Sequence, residues 1–359
     1  MFIKGLIDSR RNFGLDIIRA LSIMLVVYSH SGTFFLQESG IIGVEFFFVL
    51  SGFLIGQILF RSFANKGDLE IQDLFGFWKK RWWRTLPLYY LVILVKFFAT
   101  GCSIGWNIVY YLFFLQNHFY GISFMGVTWS LVIEEWFYLL IPVLLYILHR
   151  RKTTIKRIIF ILVSFCLALL ALKLYFAFVR HTPFTGIRPS VPLRLDSLCM
   201  GVILAYFRES DPLKYERLNK PLFPILSLLI IVSLAFMIRG VPDPAALVES
   251  NPWARALWFP VFSLAVVLMV PYFEKSTWIN VSLKKIKILY KPLTLISILT
   301  YSIYLTHLFT IQLAESCLGA AGNFIAVKYI AIVVFAFVVY VLYEHPMTQL
   351  RERRFFGQK

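Results

Sequence analysis

Between residues 13 and 343 the chain repeatedly forms apolar runs long enough to cross a lipid bilayer, joined by short polar connections. A hydrocarbon core about 30 Å thick needs a helix of roughly 20 apolar residues, because lipid offers no partner to an open backbone group. Ten runs are expected as spans, over about 13–35, 41–60, 84–101, 127–148, 156–178, 193–208, 221–238, 255–273, 293–313 and 323–343. The predicted fold is therefore all-α, a polytopic transmembrane helix bundle. It is expected to form a single membrane domain over 1–359 with no additional soluble domain. Composition agrees, since 59% of residues are hydrophobic and 15% charged, where soluble chains run near a quarter charged. Soluble Rossmann, sandwich and barrel folds are excluded. The run 106–116 is apolar but too short to span, and is expected to be interfacial or re-entrant.

The formal charge of +17 would suggest a nucleic-acid partner in a soluble protein. Here its distribution gives another cause, and no nucleic acid is expected. With the N-terminus in the cytoplasm, the inner segments hold 27 of the 36 Lys and Arg residues and the outer ones five. That bias predicts an N-in, C-in, multi-pass protein of the cell's inner (cytoplasmic) membrane, surrounded by membrane lipid. Cys102, Cys166, Cys199 and Cys317 lie scattered in apolar context without ligand spacing, so no metal is expected. The N-terminus has the basic and apolar order of a signal peptide. It also holds Arg19 and His30 and lacks a small-residue cleavage site, so it is expected to remain as the first span.

Ionisable groups inside spans are costly and by default face a bundle interior or a watery path. Lys96, Lys173 and Lys328 are expected to snorkel to an interface. Arg19 and His30 differ. Eleven residues at 100° each bring them to within about 20° on one helix face, roughly 16 Å apart along the axis. Arg is a permanent cation suited to phosphate, and His is suited to proton transfer near neutral pH. Counting depth along each span puts Glu45, Glu134, Glu135 and His307 near the level of His30, where a carboxylate would orient the imidazole. Glu134 and Glu135 point about 100° apart, so one is expected to face inward and the other a neighbouring helix. The cytoplasmic mouth carries Lys79, Lys80, Arg81, Trp82, Trp83 and Arg84, with Arg81 and Arg84 on one face as a candidate anion clamp. Each feature also has a structural reading, as buried hydrogen-bonded pairs or as positive, aromatic anchoring of a span. Together they suit a phosphate-bearing donor that enters from the cytoplasm and reaches toward the outer half.

Several stretches then occur in a recognisable order. Leu15-Asp16-Ile17-Ile18-Arg19-Ala20 leads to His30, and Gly43-Val44-Glu45-Phe46-Phe47-Phe48-Val49-Leu50-Ser51-Gly52-Phe53-Leu54-Ile55 follows. After Arg81-Trp82-Trp83-Arg84 come Trp129-Ser130-Leu131-Val132-Ile133-Glu134-Glu135-Trp136-Phe137-Tyr138 and Arg194-Leu195-Asp196-Ser197-Leu198. Tyr301-Ser302-Ile303-Tyr304-Leu305-Thr306-His307 and Glu344-His345-Pro346 close the series. In content and order these resemble the acyltransferase 3 family of integral-membrane O-acyltransferases. Two departures are Glu45 where that family usually has Asp, and Trp136 where Gln is common.

The resemblance implies transfer of an acyl group, often acetyl from acetyl-CoA, to a hydroxyl of a glycan or glycan-like acceptor such as an exported or surface polysaccharide. It makes His30 the catalytic residue, as general base or as transient acyl carrier, with Glu134 or Glu45 orienting it. Arg19, Arg81, Arg84 and Lys80 become candidates for binding acyl-CoA. Glu135, Tyr138, Arg194, Asp196 and His307 become candidates for the acceptor. A transporter or flippase for a sugar-containing or lipid-linked substrate is the alternative from another class. The sequence shows neither repeated halves nor a pair of Gly/Pro-broken helices of the kind transporters commonly carry.

Overall fold

The computed structural model describes residues 11–31, 37–64, 66, 69–119, 123–241, 243–319, 322 and 324–356. Among these residues all regular structure is helical. The long helices are α1 (Phe13–His30), α2 (Ser39–Phe63), α3 (Ile71–Ala99), α4 (Trp129–Arg150), α5 (Ile155–Phe178) and α6 (Val191–Ser210). They are followed by α7 (Leu222–Met237), α8 (Pro252–Lys275), α9 (Lys287–Leu318), α10 (Ile325–Val339) and α11 (His345–Phe356). Each of the ten expected spans falls on one of α1 to α10. Seven described helical stretches are long and apolar enough to cross a membrane, and α3, α6 and α7 fall outside that set.

The largest difference from the sequence expectation is at α3, which starts at Ile71 rather than near 84. Its first turns are amphipathic, with Leu74 and Phe77 buried and Lys79 and Lys80 exposed, so average hydropathy does not register them. A capping box between Glu70 and Asp73 begins the helix. In α1 the helix stops at His30, with Ser31 as its C-terminal cap. Residues 32–35 of the expected first span lie outside the described residues.

The chain divides into two compact units, residues 1–68 with 144–298, and residues 69–143 with 299–359. In unit 1, α2 packs against α1 and α6, α6 also packs against α5, and α7 packs against α8. Gly52 and Gly201 allow the tightest approach. A Cβ at Gly52 would strike the Leu198 carbonyl, and one at Gly201 would strike the Val49 carbonyl, so α2 and α6 meet backbone to backbone. Asn12 caps α1 by accepting from Leu15 N, and its amide donates to the Glu274 carbonyl at 2.7 Å. Asn280 accepts from Gly14 N at 3.1 Å and donates to the Phe273 carbonyl at 3.0 Å. These bonds tie the start of α1 to the end of α8. An aromatic layer of Phe184, Trp258, Phe259 and Phe262 fills the core, with Phe184 and Phe259 stacked at 4.7 Å.

In unit 2, α11 packs along α3. Trp83 donates to the Met347 carbonyl at 2.9 Å, and Tyr343 donates to the Pro87 carbonyl at 3.2 Å. The segment expected to be too short to span forms a 3₁₀ turn (Gly105–Asn107) and two short helices, Ile108–Leu112 and Gln116–Phe119. Side chains hold it through its backbone. Tyr89 donates to the Tyr111 carbonyl at 2.9 Å, Tyr90 to Leu112 at 3.0 Å and Trp136 to Phe114 at 3.0 Å. Irregular backbone among apolar surroundings requires such partners, because hydrocarbon supplies none.

Candidate active site

The first group of candidate residues belongs to unit 1 and begins on α1. Arg19 and His30 are carried by one unbroken helix, so the shared face expected from the spacing holds. Arg19 is half-buried and His30 is exposed at the last helical residue. The His30 Nδ1 lies 2.8 Å from the Val26 carbonyl and 3.1 Å from the Ser29 hydroxyl. A carbonyl can only accept, so Nδ1 carries the hydrogen of the neutral ring and Nε2 carries the lone pair. Backbone packing fixes this end of α1. Gly43 of α2 lies against the Ser22 carbonyl and Val26, and Gly40 lies against Ser29.

Asp16, one turn before Arg19, is fully engaged elsewhere. It pairs with Arg11 at 2.6 Å and accepts from the Ser297 hydroxyl at 2.6 Å.

Glu45 takes Arg194 as its ion-pair partner and also accepts from the Ser197 hydroxyl at 3.2 Å. The expected bond from Glu45 to the His30 imidazole is therefore replaced by a bond to a guanidinium, because a buried Arg demands a counter-charge. Ser197 in turn accepts from Ser263 at 2.9 Å. Asp196 pairs with Lys173. All four charged side chains are at most 1% exposed. Lys173 thus does not snorkel to an interface: it points inward to a carboxylate. Arg194 and Asp196, expected at the acceptor, sit inside unit 1 on opposite charges, and the Arg194 guanidinium also lies 3.5 Å from the centre of the Phe259 ring. A further carboxylate not singled out in the sequence, Glu274, accepts from Tyr215 at 2.6 Å, Arg208 at 3.2 Å and Gln57 at 3.4 Å. Its position in the last turn of an apolar run was the available signal.

The second group belongs to unit 2. Arg81 of α3 lies 3.6 Å from the Glu134 carboxylate and 4.0 Å over the Tyr138 ring. Tyr138, one turn after Glu134, donates to it at 2.8 Å. Depth counting had separated Arg81, at an inner mouth, from Glu134, farther out; in the structure they are neighbours. The early start of α3 is the cause, since it places ten residues of helix before Arg81. Glu135, offset by about 100° around α4, accepts from Thr85 at 3.2 Å and stays within the electrostatic reach of Arg81. Tyr301 donates to the Thr85 carbonyl at 2.6 Å. Thr85 and Tyr301, which the spacing argument left aside, position this cluster. Arg84 and Lys80 are exposed on α3.

His307 is fully buried on α9, with Nδ1 2.8 Å from the Tyr304 carbonyl. Tyr304 itself donates to the Val127 carbonyl at 2.5 Å and meets the Ser130 hydroxyl at 2.5 Å. Lys328 is also buried, paired with Glu315 at 2.6 Å, rather than snorkelling. Among the described residues no group of His, Cys, Asp or Glu has the arrangement of a metal site.

Seven described helical stretches of bilayer length and apolar composition define the class as a multi-pass membrane protein. The chain belongs to the acyltransferase 3 family, whose acyltransferase domain matches residues 12–344. Relatives include O-acetyltransferase OatA of Staphylococcus aureus strain NCTC 8325 / PS 47, 27% identical over 369 residues, covering 95% of this chain and 57% of the relative. OatA of strain COL matches to the same extent. The "Putative O-acetyltransferase SACOL0978" of Staphylococcus aureus strain COL is 27% identical over 327 residues, covering 84% of this chain and 51% of the relative. The chain spans about half the length of these relatives. No solved structure matches it.

Proposed function

We propose that this chain is an O-acetyltransferase that takes an acyl group from cytoplasmic acyl-CoA and places it on a hydroxyl of a carbohydrate acceptor, such as an exported or surface polysaccharide. The observation that carries the proposal is the pair Arg19 and His30 on one face of α1 in a chain that matches the acyltransferase domain from residue 12 to 344. The named relatives support acetyl as the group transferred.

In this reading His30 is the general base. Its Nδ1–H is committed to the Val26 carbonyl, so Nε2 accepts the hydroxyl proton as the acceptor oxygen attacks the thioester carbonyl. The C–S bond then breaks, and CoA leaves as the thiol after taking that proton from the imidazolium. Arg19 binds the donor pyrophosphate. Arg81, Arg84 and Lys80 bind its remaining phosphate, with the planar fork of Arg81 held in position by Glu134 and Tyr138. Glu135 and His307 are assigned to the acceptor.

The test uses protein reconstituted in liposomes with labelled acyl-CoA and a deacylated glycan. His30→Ala should abolish transfer while the protein remains inserted and monodisperse. Full transfer by that variant would remove His30 from the chemistry. An acyl-protein intermediate trapped by rapid quench would replace the base with a covalent carrier. Movement of the glycan across the vesicle without acylation would point to a transporter.

A further inference from the structure

A groove of about 670 Å³ runs along unit 1 between α7 on one side and α1 and α2 on the other. It exists because α7 packs against α8 and leaves its other apolar side uncovered. Leu228, Val232 and Phe236 of α7 are exposed along it, and Leu21 and Leu25 of α1 face it. The groove is separate from the candidate catalytic face. Ile18, Leu21 and Leu25 lie between about 100° and 160° around α1 from Arg19.

Two features bear on what fills it. From Leu228 to Arg239 the wall is roughly 16 Å long, about half of a hydrocarbon core, which is the depth of one leaflet. The end away from Leu228 is polar and carries one charge of each sign. Arg239 is exposed there, and Glu38 lines the same rim, with one carboxylate oxygen accepting from Gly240 N at 2.9 Å. In a bilayer an apolar groove of this depth takes a lipid tail, since an empty one would forfeit dispersion contacts along its lining. The headgroup is then set at the rim.

We infer that this groove is a binding site for a membrane phospholipid with a zwitterionic amine headgroup, its tail along Leu21, Leu25, Val232 and Phe236, its phosphate on Arg239 and its ammonium on Glu38. An anionic headgroup would satisfy Arg239 and set its own charge against Glu38. A zwitterion satisfies both. The lipid completes the wall of unit 1 that α7 leaves open, and it does so independently of the acyl-transfer reading.

The test is native mass spectrometry of the intact protein, delipidated in mild detergent and offered equal phosphatidylethanolamine and phosphatidylglycerol. The wild type should retain one phosphatidylethanolamine, preferred by about tenfold, the scale of one charge-assisted contact. Glu38→Gln should abolish the preference and keep the occupancy. Arg239→Gln should weaken both lipids. Ala235→Trp, or Val232→Trp if the first does not fold, should fill the groove and remove the adduct. An unchanged adduct in a folded groove-filling variant overturns the proposal. So does a wild type that retains no lipid or prefers phosphatidylglycerol, or a preference that survives Glu38→Gln.

Discussion

Two ion pairs of unit 1 close fully on each other, whereas the Arg81–Glu134 pair of unit 2 stays partly open. Glu45, Arg194, Lys173 and Asp196 are at most 1% exposed and sum to zero charge in two pairs. Arg81 and Glu134 are 16% and 15% exposed and stand 3.6 Å apart, a looser contact. A closed pair cannot take up an anion without stranding its partner, and that cost is large in a low-dielectric interior. An open pair can exchange a carboxylate for a phosphate with little loss. Charges of similar type are therefore sealed against each other in Glu45–Arg194 and Lys173–Asp196 and stay partly exposed in Arg81–Glu134.

The largest effect should come from breaking a closed pair. Glu45→Gln strands Arg194 and should lower stability by about 3–5 kcal/mol, read as a collapse of thermal stability in detergent. Replacing both with Met should recover most of the loss. A well-behaved Glu45→Gln protein would erase the contrast.

Next comes the open pair. Arg81→Ala should raise the donor KM by roughly tenfold or more, since a charge-assisted contact contributes about 1.5–3 kcal/mol. The melting temperature should move little. A response confined to the acceptor KM would show that unit 2 binds the other substrate.

Arg19 tests whether α1 carries an open charge inside the unit of closed ones. Arg19→Lys should weaken CoA binding by roughly tenfold through loss of the planar fork. Asp16→Asn should leave CoA affinity unchanged and cost about 1 kcal/mol of stability, because Asp16 serves Arg11 and Ser297. Isothermal titration of CoA into both variants separates the two roles; equal losses would make Arg19 structural.

The smallest effect belongs to Lys328 and Glu315, where the carboxylate is 40% exposed. Glu315→Gln should change stability by about 1 kcal/mol or less, measured by thermal unfolding.

Local patterns carried the fold well. The apolar runs located ten helices, and eleven-residue spacing placed Arg19 and His30 on one face of α1, because both follow from helix geometry alone. Boundaries failed where a helix is amphipathic rather than apolar, as in the first turns of α3. That error displaced Arg81 from its true neighbour, Glu134. The pairs themselves were out of reach of spacing. Glu45 meets Arg194 across 149 residues, and Lys173 meets Asp196 across 23. Which carboxylate answers which cation is decided by the approach of α2 to α6 at Gly52 and Gly201 and by the packing of α5 against α6, and no local signal encodes either. The departure from Asp to Glu at position 45 fits this account, since the longer side chain there has a guanidinium to reach.

The short segment 105–119 has a consequence for how this protein can vary. It is anchored through the carbonyls of Tyr111, Leu112 and Phe114, each receiving a donor from Tyr89, Tyr90 or Trp136. Every amino acid has a carbonyl, so this part of the fastening does not depend on which side chains the segment carries, whereas the buried Gln116 and the half-buried Asn117 add side-chain bonds to Thr128 at 3.3 Å and to the Trp129 carbonyl at 3.0 Å. Positions such as Val109 and Phe113, both exposed, are free to drift among apolar residues. The tolerance is asymmetric: the exposed positions of the segment can be rewritten in place, while the two tyrosines and the tryptophan that grip it cannot lose their donors.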